Sequence, residues 1–179
     1  MEELIKKIQK GDEVAFKQLT QSMEKDLYVI AKLRLKNDDD IKDAIQNTMI
    51  SVYKNAKKIR NIKYFKTWMF RILINECNKI YNSNNRKNNI LDKLKVNSTY
   101  NNYENSIQLI DDKLNFESII NQLNYDEKII ITLYYHSQFS CAEISKLLKI
   151  NINTVKSRLK RAKDKLKKQY GEVEIYEKK

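Results

Sequence analysis

Between Ile150 and Lys168 the sequence reads ININTVKSRLKRAKDKLKK, and its side chains could hold a polyanion. At about 100° per residue, Val155, Leu159, Ala162 and Leu166 fall in one narrow apolar seam. Ser157, Lys160, Arg161, Asp164 and Lys168 then face the other way. A solvated surface helix usually mixes both signs on its outer face to form i,i+4 pairs. Here Asp164 is the only acid between Lys156 and Lys168. Such a helix either meets a polyanion or is simply a basic surface, and the rest of the chain must decide.

Other chemistry finds little support. The chain has no Gly-rich phosphate loop, no Ser/His/Asp grouping and no paired carboxylates beside a pocket-forming motif, so it is not expected to be an enzyme. Cys77 and Cys141 match no ligand spacing, and the single His136 completes no metal site. They read as core thiols, with no metal and no cofactor expected. No uncharged apolar run reaches the roughly 18 residues needed to span a bilayer. The start, MEELIKKIQK, lacks the apolar core of a secretory leader. The expectation is a cytoplasmic protein without membrane insertion.

Charge is concentrated rather than spread. The net +12 divides into +8 over residues 1–90, −3 over 91–139, +8 over 140–170 and −1 over the last nine. Thirty-one residues thus match the charge of the first ninety, which suggests a nucleic-acid footprint more than general solubility. The 29 Lys against 6 Arg, with 20 Asn, 23 Ile and no Pro, look like the codon bias of an AT-rich genome. Lysine in place of arginine is therefore no functional choice, and the missing prolines say little about helix ends.

The elements that must position these residues are helical throughout, which predicts an all-α fold. Leu4, Ile5 and Ile8 give a short helix stopped near Gly11, and Asp12 caps a second that buries Ala15, Phe16, Leu19, Met23, Leu27, Ile30 and Ala31. The acidic run Asp38–Asp40 caps a third, with Ile41, Ile45, Thr48/Met49, Val52, Ala56 and Ile59 on one face. After a kink at 61–64, a fourth runs from about Phe65 to about Tyr81. NSNNRKNN (82–89) and NSTYNNYENS (97–106) are polar and read as a linker. Helices then follow over Leu114–Leu123, Tyr125–His136 and from a Ser140/Glu143 capping box to Leu148, before a last one capped by Asn151. Ala142, Ile144 and Leu147/Leu148 should pack on Ile152, Val155 and Leu159. That is a helix-turn-helix, which pushes the front of its second helix toward a major groove. The expected organisation is two small helical domains, 1–88 and 113–170, joined by a flexible linker, 89–112, with a tail at 171–179.

With both halves in view, the chain resembles a bacterial RNA polymerase sigma factor of the short, extracytoplasmic-function type. The C-terminal match runs through S-x-x-E-I-S-x-x-L and then T-V-K-S-R-L-x-R-A-x-x-x-L. GDEVAFKQL, DAIQNTMISVYKN and FKTWMFRILINECNKIYNSNNRK follow the family's first conserved domain in order and spacing. Asn47 stands where an acid is common, Met49 where Phe is common, and Tyr81 where a basic residue is expected.

The resemblance implies a protein that binds core RNA polymerase and directs it to promoter DNA. Asp43, Gln46 and Asn47 would dock on the clamp helices of the β′ subunit. Lys63, Tyr64, Phe65, Lys66, Asn75 and Lys79 would melt and read the −10 element, with Tyr64 and Phe65 as aromatic walls for an unstacked base. Apolar spacing with Ile72 makes Trp68 a core brace. In the −35 element, Lys156, Ser157, Lys160 and Arg161 would meet base edges, and Thr154 and Arg158 phosphates. Arg161 is the first choice for guanine, because a guanidinium fork pairs with O6 and N7 together. For Lys163, Lys165, Lys167 and Lys168, phosphate tracking or solubility suffices. An inhibitory anti-sigma factor is a usual partner in this class. The alternative is a conventional helix-turn-helix regulator acting without polymerase, which explains residues 113–168 and leaves the first ninety unassigned.

Overall fold

The computed structural model describes residues 1–94 and 122–170, and their regular structure is entirely helical. The N-terminal unit comprises α1 (Glu2–Gln9), α2 (Glu13–Lys32), α3 (Asp38–Asn55) and α4 (Phe65–Leu94). The C-terminal unit comprises α5 (Tyr125–Tyr135), α6 (Cys141–Leu148) and α7 (Ile152–Tyr170).

Local chemistry explains most boundaries. Gly11, at φ +92°, turns the chain after α1, and the Asp12 carboxylate accepts from the Ala15 N–H at 2.9 Å. At α3 the cap is Asn37 rather than the acidic run that follows it. The Asn37 side chain accepts from the Asp39 N–H at 2.8 Å, and Asp38, Asp39 and Asp40 occupy the first turn, where carboxylates favour the helix dipole. Two 3₁₀ turns, Ala56–Lys58 and Ile62–Tyr64, make the expected kink. Gln9 Nε2 donates to the carbonyls of Ala56 (3.0 Å) and Ile59 (2.9 Å), satisfying acceptors that the broken helix leaves open.

The fourth helix does not stop near Tyr81. It continues through the asparagine-rich stretch to Leu94, because extending a formed helix costs far less than nucleating one. A tertiary contact also holds that stretch, Asn84 Nδ2 donating to Asp40 Oδ2 at 2.8 Å. Of the stretch 89–112 assigned as linker, 89–94 is therefore helix, and the remainder lies outside the described residues. So do most of the expected helix Leu114–Leu123 and the tail 171–179.

In the C-terminal unit, capping boxes form at Asn124/Glu127 and Ser140/Glu143. Lys149, left-handed at φ 57°, ends α6, and Asn151 accepts from the Asn153 N–H at 2.8 Å to open α7. Ile144, Leu147, Val155, Leu159, Ala162 and Leu166 are buried. Each large apolar side chain among them contributes about 1.5–3 kcal/mol relative to exposure. Ala142 and Ile152 are exposed instead of joining that packing. Ala142 lies two residues from Ile144, hence on the far side of a short helix, and Ile152 is the first residue of α7, at the lip of the turn.

The two units pack together. Phe70 of α4 meets Phe139, just before α6, edge to face at a centroid distance of 5.1 Å, and both rings are buried.

Candidate nucleic-acid interface

The structure sorts the cations of α7 into two sets. Arg158 Nη1 lies 2.9 Å from Asp126 Oδ2, and Lys165 Nζ lies 2.8 Å from both carboxylate oxygens of Glu127. These two reach back to α5 and fasten the helix to its own domain. Lys156, Lys160 and Arg161 are exposed on the outer face and pair with no acid among the described residues. Ser157 shares that face, its Oγ donating to the Thr154 carbonyl at 3.1 Å, and Arg161 Nε donates to the Ser157 carbonyl at 3.5 Å. Thr154 and Arg158 are half-buried, at the edge rather than the centre. The Glu127–Lys165 pair was not anticipated. Its signal was a glutamate three and four positions before the buried Ile130 and Ile131, on the inner face of α5, where burial obliges it to find a cation.

A second feature lies between α3 and α4. An open groove of about 860 Å³ runs past five asparagines, Asn55, Asn61, Asn75, Asn78 and Asn82, with Tyr64 and Trp68 in its wall and Lys58 and Lys79 beside it. Asn75 and Lys63 are exposed, and Lys79 is exposed but tied to Glu76 at 2.7 Å. Phe65 does not supply a wall. It is 1% exposed, packed 5.8 Å from the Trp68 ring, because it opens α4 with its side chain turned into the core. Trp68, expected as a core brace, is half-buried, with Phe65 against it and the groove beside it. The aromatic wall is thus Tyr64 and Trp68.

On α3, Asp43, Gln46 and Asn47 are all exposed, while Ala44, Thr48 and Val52 are buried behind them. Ile50, 43% exposed, continues the same face by one further turn. An exposed β-branched residue in line with three polar ones gives this face an apolar element that periodicity had not singled out.

The groove's rim touches the C-terminal unit. Lys66 Nζ donates to the Ser137 carbonyl at 2.9 Å, stands 3.7 Å from Asp26 Oδ2, and lies 5.3 Å from the Phe139 ring centroid. Lys146 Nζ sits 5.2 Å above the Tyr64 ring. The Arg34 guanidinium lies between Tyr81 (3.7 Å) and Tyr125 (4.5 Å). Burial pushes the Tyr125 phenol up to about 12, and the same cause raises the Cys77 thiol to about 12. No helix among the described residues is long and apolar enough to cross a membrane.

Comparison with known proteins finds one family at both ends of the chain. Residues 19–87 match the family model for Sigma-70 region 2, and residues 113–166 match that for Sigma-70 region 4. The chain is 24% identical over 170 residues to the ECF RNA polymerase sigma factor SigM of Mycobacterium tuberculosis, covering 90% of this chain and 80% of that one. It is 26% identical over 174 residues to the ECF RNA polymerase sigma-E factor of Haemophilus influenzae, covering 90% of each. Its fold matches the sigma factor RpoE solved with the anti-sigma factor NepR from Bartonella quintana, with a TM-score of 0.64, 24% identity, and coverage of 85% of this chain and 96% of that one. With both regions present in order on a two-part helical fold, the chain belongs to the sigma-70 family, among the sigma factors of the extracytoplasmic-function type.

Proposed function

We propose that this chain carries out promoter-directed transcription initiation with three separate surfaces, acting as a non-enzymatic factor in the cytoplasm. As a sigma factor it binds core RNA polymerase and brings it to promoter DNA. The exposed face of Asp43, Gln46, Asn47 and Ile50 docks on the β′ clamp helices. Tyr64, Trp68, Asn75 and Lys79 handle the −10 element along the amide-lined groove, with Lys63 and Lys66 beside Tyr64 in the chain. Lys156, Ser157, Lys160 and Arg161 read the −35 element, with Thr154 and Arg158 at the phosphates. One of the solved relatives is a complex with an anti-sigma factor, and a partner of that kind fits here as the inhibitor.

The observation that carries the reading is the division of charge on α7. Cations paired to α5 hold the helix in place, and cations without acid partners face outward, which is what a major-groove helix requires. The test is reconstitution with purified core polymerase. The full chain should form a stoichiometric complex and support run-off transcription from genomic fragments. Asp43→Ala with Gln46→Ala should weaken the complex while helicity by circular dichroism stays intact. A double variant that binds core as tightly as the parent would show that docking lies elsewhere.

A further inference from the structure

We infer that a cavity between α4 and the C-terminal unit is a binding site for a small phosphate monoester. The site goes beyond promoter recognition, and its chemistry does not depend on that reading.

The cavity measures about 240 Å³ and shares only Asn75 and Asn78 with the groove between α3 and α4. Cations from three segments line it: Arg71 of α4, Lys149 of the turn and Arg158 of α7. Its one acid, Asp126, is taken up by Arg158 at 2.9 Å. Arg71 and Lys149 have no acid partner among the described residues, and Arg71 has no hydrogen bond or ring contact there either. Arg71 is half-buried, so its guanidinium has lost part of its hydration without gaining the partner that normally replaces it.

Two uncompensated positive charges facing one cavity select a dianion. A phosphate monoester carries about −1.5 to −2 at pH 7, and a guanidinium fork pairs two of its oxygens at once. A DNA backbone phosphate is a diester with a single charge and matches this balance less well. The amides of Asn75 and Asn78, on the same wall, can donate to the remaining oxygen. Ile74, Ile129, Leu147 and Leu148 supply apolar wall that inorganic phosphate would leave uncovered and a short carbon body would fill. The volume lies below the range of about 300–1,000 Å³ usual for drug-sized ligands, which limits that body to roughly one ring.

The test is isothermal titration of the full chain at about 0.15 M salt, which screens general attraction to a basic protein. Phenyl phosphate is the probe. Inorganic phosphate, which lacks the carbon body, and dimethyl phosphate, which stands in for the DNA diester, are the comparisons. Phenyl phosphate should bind at one saturable site, at least about tenfold more tightly than either. Arg71→Gln should weaken it by about tenfold or more, the loss of a charge-assisted pair. Leu148→Phe, which fills the cavity and leaves every charge in place, should abolish it. Lys17→Gln removes an exposed cation of α2 that lines neither cavity, and should change nothing. Circular dichroism checks each fold, and Arg71→Gln decides alone if Leu148→Phe unfolds. Equal losses in Arg71→Gln and Lys17→Gln would reduce the binding to general attraction and overturn the inference. So would binding that survives the filled cavity, dimethyl phosphate bound as tightly as the monoester, or no saturable binding of phenyl phosphate. Run-off transcription without the probe judges promoter recognition separately.

Discussion

Lys165 Nζ stands 2.8 Å from both Oε1 and Oε2 of Glu127, a carboxylate whose side chain is only 4% exposed. The same carboxylate accepts from the Asn124 N–H at 3.3 Å, so one acid closes the cap of α5 and fastens α7 to it. Removing the cation leaves a buried charge without its counter-ion. Lys165→Ala should therefore cost about 1–3 kcal/mol, below the range for a fully buried pair because the lysine is half exposed. Lys168→Ala should stay within about 0.5 kcal/mol. Urea denaturation of both variants checks the contrast, and equal effects would deny the pair its structural role.

DNA readout separates the same helix differently. Arg161→Ala should lose about 1–3 kcal/mol of discrimination at one base pair of the −35 element. Lys168→Ala should weaken all sequences alike and make the salt dependence shallower by about one. Titrations of the polymerase-bound protein on cognate and scrambled duplexes, at several salt concentrations, distinguish the two. Equal losses on both duplexes for Arg161→Ala would reduce that arginine to a phosphate clamp.

The turn of the helix-turn-helix carries removable strain. Lys149 holds a left-handed backbone at φ 57°, a conformation that glycine adopts without the steric penalty of a Cβ. Lys149→Gly should stabilise the protein by about 0.5–1 kcal/mol, the relief exceeding the added freedom of the unfolded chain. A higher urea midpoint at unchanged slope is the expected result. A lower midpoint would mean that the lysine side chain contributes more than its backbone costs.

Alkaline stability follows from two buried groups. Cys77 rises from 9.0 and Tyr125 from 10.0, each to about 12, chiefly through burial. Both keep their protons more tightly folded than unfolded. Their contribution is intact below about pH 9 and declines as pH climbs toward about 12, where the unfolded chain ionises first. Tyr125→Phe should flatten that decline above about pH 10, measured by urea midpoints across the range. At pH 8 a thiol reagent should label Cys141, half-buried at the start of α6, well before Cys77.

Much of this was legible in the residues. Asp12, Asn124, Ser140 and Asn151 declare their helix starts by type and spacing, and the seam from Val155 to Leu166 declares a buried face. What escaped was whatever depended on a distant partner. Asn82 to Asn89 offer no apolar period, yet helix growth and the bond from Asn84 to Asp40 carry α4 through them. Phe65 and Tyr64 are adjacent aromatics, and only the start of α4 decides that one turns inward and the other outward. Nothing local in Lys66 announces that Ser137, seventy-one positions away, will accept its hydrogen bond.

The groove between α3 and α4 carries five amides in its wall beside the charges of Lys58, Glu76 and Lys79. An amide turned half a revolution exchanges its donor for its acceptor at almost the same point in space. A base laid against Asn75 or Asn78 can therefore be met by either polarity without any movement of the backbone, whereas Asn55 is fixed by the Ser51 carbonyl and Lys58. Exchanging Asn75 or Asn78 for glutamine, serine or histidine would alter which base is preferred while leaving the overall attraction to the strand nearly unchanged. Related proteins could in this way diverge in the genes they serve by single substitutions along one wall, with polymerase docking left as it was.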